Sequence, residues 1–160
     1  MIKFRRLNPV ELKELEGDFV KFLATNSIPA ADWEKMKKEN PKRIQDLIDE
    51  FSNLVLETAY QKVNHLLLVR KNELQAFQLG DKNAEMFGVK FDNSTTDLTQ
   101  GNQLETIFKN PGAFIKMKPR LFNLSKKYSK PKPDEVSFLI NIGARICDEK
   151  WFVFLKRFKN

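Results

Sequence analysis

The sequence is poor in the residues from which metal centres and disulfides are built. Its 160 residues include one cysteine, Cys147, and one histidine, His65. A single cysteine forms no internal disulfide, so the fold does not depend on oxidation, which suits a reducing compartment. A zinc site would have to combine Cys147 with His65 and two carboxylates, without the close Cys or His spacing typical of such sites. We therefore expect neither a metal nor another cofactor.

Catalytic motifs are also missing. The six glycines form no phosphate-binding loop, no dinucleotide fingerprint and no nucleophile elbow. We interpret His65 as an ordinary strand residue, because nothing pairs it with a nucleophile, although a lone general base is the alternative. Cys147 is interpreted as a small buried hydrophobe rather than a thiolate activated by Arg145. The sequence thus predicts that the protein is not an enzyme.

Long hydrophobic runs are the third absence. No stretch approaches the roughly 20 apolar residues that a membrane-spanning helix requires. The basic start of the chain is followed at once by Glu11, Lys13 and Glu14 rather than by the apolar core of a signal peptide. We expect a cytoplasmic protein without a membrane partner. Its length predicts one domain over 1–160 and excludes a (β/α)₈ barrel.

Positive charge is what the sequence has in excess. Lys and Arg number 28 against 21 Asp and Glu, which gives a net charge of +7. Residues 1–60 contain 10 basic and 11 acidic side chains, whereas residues 61–160 contain 18 and 10. The surplus is sharpest over 106–133, where eight basic residues occur without one carboxylate. Such a segment favours an anionic partner, although a solvated lysine-rich face is the simpler alternative.

The first third of the chain has explicit helix signals. Asn8 and Glu11 offer an N-cap and its capping-box partner. Apolar residues at spacings of three and four then predict a helix over 9–25. A second, short helix ends before Pro41, because the residue before a proline avoids the helical region, and a third helix begins there. The helical segment covers about 8–60.

Beyond Tyr60 the pattern changes to short runs of β-favouring residues. The runs 63–70, 74–79 and 85–91 are separated by turn residues and predict an antiparallel meander. This sheet-rich segment extends over about 61–160.

The middle of the sheet-rich segment is less regular. Residues 92–102 are predicted to be a polar loop, and 93–96 in particular to lack regular structure. A short helix is predicted over 103–109. Imperfect alternation over 113–124 indicates a fourth strand.

The C-terminal part predicts a helix and then a hairpin. Residues 130–133 are interpreted as a stiff linker, after which Asp134 caps a helix. A closing hairpin is expected, with 145–147 as its first strand and 151–158 as its second. We favour a strand over 151–158 because of its aromatic content, although its apolar spacing also fits a helix. The fold class is α+β, with N-terminal helices packed on a mainly antiparallel meander sheet and a further helix before the C-terminal strand.

One set of residues has a plausible binding role. The acid-free basic segment is interleaved with aromatic side chains, and lysines that track phosphates beside rings that stack on bases are typical of single-stranded nucleic-acid binding. The alternative is that the rings are core residues and the lysines a solvated face. The candidate nucleic-acid-binding residues are Lys109, Lys116, Lys118, Arg120, Phe122, Lys126, Lys127, Tyr128, Lys130 and Lys132.

Several short N-terminal segments point to a known family. They are Lys3-Phe4-Arg5-Arg6-Leu7, Glu11-Leu12, Leu15-Glu16, Ala31-Asp32-Trp33-Glu34-Lys35 and Glu39-Asn40-Pro41. Through them the sequence resembles an uncharacterised family of short bacterial proteins, a domain of unknown function. The resemblance is strongest over 3–60 and weaker up to Cys147. It implies a cytoplasmic, single-domain protein and supplies no activity or site residues.

The sequence therefore leaves two main functions as alternatives. The first is a non-catalytic basic binding module whose partner is RNA or the ribosome. The second is a protein–protein interaction adaptor that uses its apolar surface and binds no nucleic acid. An acidic protein surface is the other candidate partner of the basic residues. An enzyme is the third and weakest possibility.

Overall fold

The computed structural model describes residues 1–92 and 95–159 and shows an α+β protein, as predicted. Asn93 and Ser94, in the stretch predicted to lack regular structure, lie outside the described residues. Within the described ranges the chain forms eight helices and five strands. It divides into two compact units, Met1–Ala59 and Tyr60–Asn160, at the point where the apolar pattern changes period.

The first unit confirms the predicted helices with one difference. The helix predicted over 9–25 is interrupted at Leu15, whose ψ of 19° leaves the helical range. Gly17, two residues later, weakens the helix at this point because glycine has a low helix propensity. The helices are α1 (Pro9–Glu14), α2 (Glu16–Thr25), α3 (Ala30–Glu39) and α4 (Pro41–Gln61), of which α4 extends into the second unit.

Helix α1 begins with the predicted capping box. The side chain of Asn8 accepts a hydrogen bond of 2.9 Å from the N–H of Glu11, and Glu11 accepts one of 2.9 Å from the N–H of Asn8. Arg5 donates two further hydrogen bonds of 2.8 Å to the Glu11 carboxylate. The Arg5 guanidinium and the Asn8 N–H lower the pKa of Glu11 to about 2. Farther along the unit, Leu23 and Leu47 form a small core.

The second unit contains a five-stranded sheet in the order β4-β3-β2-β1-β5, in which all neighbouring strands are antiparallel. The first three strands confirm the predicted meander to within two residues at each end. The strands are β1 (His65–Arg70), β2 (Glu73–Leu79), β3 (Asn83–Lys90), β4 (Arg120–Lys127) and β5 (Arg145–Ile146).

Two short helices separate β3 from β4. Helix α5 (Gln103–Lys109) has the predicted bounds. The predicted fourth strand exists, but it begins at Arg120 rather than at 113, because the first part of the predicted range belongs to α6 (Pro111–Lys116). Asn110 initiates α6 by accepting a hydrogen bond of 3.2 Å from the N–H of Ala113, and the helix buries Phe114.

The predicted closing hairpin is wrong. Strand β5 has two residues, and residues 151–158 belong to a helix, α8 (Lys150–Phe158). Helical packing outweighs the β propensity of this aromatic run, since one face of the helix is buried in the core of the second unit. That face consists of Trp151, Phe152, Phe154 and Leu155.

The predicted linker over 130–133 is shorter than expected. Helix α7 (Lys132–Asn141) begins two residues before Asp134, so Asp134 is not the N-cap. Pro131 occupies that position and Pro133 lies in the first turn, where a missing N–H costs no intrahelical hydrogen bond. Asp134 remains in the first turn, where a negative charge is favourable.

The two faces of the sheet differ in how they are covered. Alternation of side chains places Leu67, Ala76 and Phe87 on one face, here called the inner face, where Phe152 of α8 packs against Phe87 at 5.2 Å. Gly88 lies on the opposite, outer face, which α7 covers in part.

Candidate nucleic-acid interface

Strand β4, at one edge of the sheet, contains four of the ten predicted binding residues. Arg120, Phe122, Lys126 and Lys127 belong to the strand, and the other predicted residues precede or follow it in the chain. Because side chains alternate along a strand, Arg120, Phe122 and Lys126 share the outer face, whereas Lys127 points to the inner face. The strand therefore presents cations on both sides.

Phe122 lies directly over a glycine of the neighbouring strand. It is paired in register with Gly88 of β3, and a Cβ built on Gly88 would stand 2.3 Å from Cζ of the ring. The ring thus occupies the space that a side chain at Gly88 would fill. Phe122 remains half-buried, so it is neither a fully buried core residue nor a freely mobile ring.

The other three rings of the basic segment are engaged elsewhere. Phe114 is buried, and Phe108 packs edge-on against Trp151 at 5.4 Å. The hydroxyl of Tyr128 donates a hydrogen bond of 3.0 Å to the carbonyl of Gly80, and burial raises the pKa of Tyr128 to about 12. Of these four rings, Phe122 is the one positioned for stacking.

Carboxylates from outside the acid-free segment neutralise part of its charge. Lys109 pairs with Glu105 at 3.3 Å within α5. On the outer face, Arg120 pairs with Asp92 at 2.7 Å and Lys126 with Glu135 at 2.8 Å. These partners are 4 to 28 positions away in the chain, so a count over consecutive residues does not include them.

Lys132, by contrast, is a buried lysine. It is only 4% exposed in the first turn of α7, which leaves little of it for contact with phosphate. In the described part of the chain the other predicted lysines are exposed and make no ion pair. They are Lys116, Lys118, Lys127 and Lys130.

Two further cations near β4, Lys82 and Lys90, were not predicted as binding residues from the sequence. Both are exposed at the ends of β3, and Lys90 lies in register with Arg120. Lys82 and Lys127 line a surface depression of about 260 Å³ together with Asn83, Ser125 and Lys126, and no carboxylate lines it. Pairing of β3 with β4 was the signal that could have identified these lysines.

The two candidate catalytic residues are neighbours across β1 and the end of β5, where the N–H of Cys147 donates a hydrogen bond of 3.2 Å to the carbonyl of His65. Nε2 of His65 is buried without a hydrogen-bond partner among the described residues, and its ring packs against Phe152 at 6.0 Å. Burial and, to a smaller extent, Asp148 raise the pKa of the half-buried Cys147 thiol. Residues 1–92 and 95–159 contain no group of three or more His, Cys, Asp or Glu side chains that could hold a metal ion. No helix in these ranges is long and apolar enough to cross a membrane.

One comparison with known proteins identifies a family. The model of a family described as "Family of unknown function (DUF6495)" matches residues 1–160. No curated protein and no solved structure matches the chain.

Proposed function

Because the chain belongs to DUF6495, a family of unknown function, we propose a function from its own geometry: the β3–β4 ribbon binds single-stranded RNA, free or within the ribosome. The observation that carries this proposal is the half-buried Phe122 ring, held over Gly88 between cations on the outer face. A cytoplasmic location, expected from the sequence, fits such a partner.

The charges around the ribbon favour a polyanion. Lys90 and Lys118 are exposed near one end of the ribbon, and Lys82 and Lys127 surround the depression at the other. At each end these ammonium groups have no ion-pair partner within residues 1–92 and 95–159, so they can contact phosphates, and neutralised phosphates release condensed counterions. Arg120 and Lys126 already have carboxylate partners, so we assign them a smaller share of the binding energy.

The ring supplies a contact that does not depend on charge. Stacking of a base on an aromatic side chain contributes about 1–3 kcal/mol and tolerates any base. Phe122 suits this role because its ring lies over Gly88, which has no side chain of its own. The ribbon would thus bind RNA with little sequence preference.

A protein partner is the second candidate, and a groove beside the ribbon favours it. Leu124 of β4 is 64% exposed and Phe138 of α7 is 60% exposed. Both line a groove of about 270 Å³, whose other walls include Phe77 and Met86. Such an adaptor would bind a partner that places an apolar side chain in the groove and acidic residues against β4.

The salt dependence of RNA binding distinguishes the two functions. Four phosphate contacts, at Lys82, Lys90, Lys118 and Lys127, predict a log–log slope of affinity against salt of about −2.8, since each contact on a single strand contributes about −0.7. The Lys127→Gln variant should flatten this slope by about 0.7. Fluorescence anisotropy of a labelled oligouridine, measured at several KCl concentrations, gives both slopes.

Lys13→Gln is the matched control, because Lys13 is an exposed lysine of α1 in the other unit. It should leave the slope unchanged. The RNA proposal is wrong if the wild-type protein shows no salt-sensitive binding at low ionic strength, or if both variants change the slope equally. Equal binding of polyglutamate and oligouridine would instead favour the protein partner.

A further inference from the structure

A cleft of the second unit lies on the inner face of the sheet, away from the β3–β4 ribbon. It is an open cleft of about 680 Å³, within the size range of small-molecule sites. Leu67 and Val69 of β1 form its floor, and Leu98, Leu104 and Trp151 contribute to its walls. Leu67, Leu98 and Trp151 are each at most 5% exposed, so the apolar part of the cleft is built from core residues.

Strand β5 directs two functional side chains toward this cleft. Arg145 is paired in register with Leu67, so its side chain lies on the inner face. Cys147, two residues later, lines the same cleft. The short β5 strand thus places a guanidinium and a thiol beside an apolar floor.

Two carboxylates and two cations line the cleft. Glu105 pairs with Lys109, which lies outside the lining, at 3.3 Å, and Asp148 accepts a hydrogen bond of 2.9 Å from the N–H of Lys150 while keeping its negative charge. Arg145 makes no ion pair within residues 1–92 and 95–159, and the same holds for the Lys150 ammonium, which lies 4.9 Å from the centre of the Phe108 ring. Two unpaired cations therefore remain at the rim, where they favour an anionic group.

The thiol indicates binding rather than covalent catalysis. Nucleophilic cysteines need a lowered pKa, whereas burial raises the pKa of Cys147. No histidine lines the cleft among the residues described.

We propose that this cleft binds a small organic anion: a carboxylate or phosphate group contacts Arg145 and Lys150, and an apolar or aromatic body lies on Leu67, Val69 and Trp151. The site does not depend on RNA binding by the ribbon, since the two share no residue. Arg145 makes the site selective for an anionic ligand over an uncharged one, because its planar guanidinium can donate two parallel hydrogen bonds to one anionic group.

The probe for this proposal is 8-anilinonaphthalene-1-sulfonate, which combines an aromatic body with one anionic group. We expect saturable binding at one site of the folded protein, followed by probe fluorescence. The Arg145→Gln variant should bind about tenfold more weakly, the effect of losing about 1.4 kcal/mol from a charge-assisted contact. Lys127→Gln, which removes an exposed cation outside the cleft, should bind like the wild type.

Two further measurements locate the probe and test the charge. Bound probe should slow alkylation of Cys147 by iodoacetamide, and this reporter is specific because the chain has one cysteine. The uncharged analogue N-phenyl-1-naphthylamine should bind about tenfold more weakly than the sulfonate, for the same loss of a charged contact. Equal affinity of the two probes, equal binding by Arg145→Gln with an unchanged melting temperature, or no protection of Cys147 would each overturn the proposal.

Discussion

At the scale of single residues, Gly88 and Phe122 are the most informative pair. A glycine inside a strand usually weakens it, but here the missing side chain provides the space in which an aromatic ring lies. A sequence can identify Phe122 as an aromatic residue among lysines. It cannot show that the ring is supported by a glycine 34 positions earlier, because that contact depends on the register of two strands.

This contact predicts that the effect of Gly88→Ala on stability changes sign between the wild type and the Phe122→Ala variant. In the wild type, Gly88→Ala should destabilise the protein by about 1 kcal/mol, because the new Cβ displaces the ring. In the Phe122→Ala variant the space is empty, and Gly88→Ala should stabilise by about 0.5 kcal/mol through the lower conformational entropy of the unfolded chain. Urea unfolding of the four proteins measures both effects. Equal effects in the two backgrounds would show that the ring does not occupy this space.

At the scale of elements, the helices and strands that depend on local sequence signals were predicted correctly. Those that were predicted incorrectly depend on contacts beyond the local pattern. The capping box at Asn8 and the turn residues between β1, β2 and β3 act within a few positions, so these elements were predicted correctly. The run over 151–158 fits both a strand and a helix, and burial of one helical face decides between them. The prediction over 113–124 was wrong only in its first part, because Asn110 initiates a helix where alternation indicated a strand, whereas residues 120–124 belong to β4.

The same holds for the candidate site. Arg120 and Lys126, which are close to Phe122 in the sequence, share the outer face with it, whereas Lys127 lies on the inner face. Sequence proximity missed Lys82 and Lys90, which strand pairing supplies, and it counted Lys132, which α7 buries. The inner-face cleft was not predicted, because its walls come from three separate parts of the chain.

The capping box of α1 predicts a specific dependence of stability on pH. The folded pKa of Glu11, about 2, lies below the unfolded value of about 4.3. The stabilisation is therefore fully present above about pH 4.3 and is lost as the pH falls toward 2. Glu11→Gln should lower the melting temperature at pH 7, and this difference from the wild type should shrink between pH 4.5 and 2.5, a range set by the same linkage. Thermal melts followed by circular dichroism measure it, and a difference that stays constant with pH would contradict this role of Glu11.

At the scale of the whole molecule, the positive charge belongs to one of the two compact units. The first unit, Met1–Ala59, has 10 basic and 11 acidic residues, and the second has 18 and 10. The two proposed sites both lie in the basic unit, the ribbon with its exposed lysines and the cleft with two unpaired cations. An anionic ligand is therefore expected to perturb the second unit and not the first.

Amide chemical-shift mapping with an oligouridine tests the central claim most directly. On titration at low salt, we expect shifts at the amides of Gly88, Phe122 and Lys127, and none at Leu23 in the first unit or at Arg145 in the cleft. Such a pattern would place RNA on the β3–β4 ribbon. Unshifted ribbon amides at saturating RNA, or shifts confined to other parts of the chain, would contradict the account.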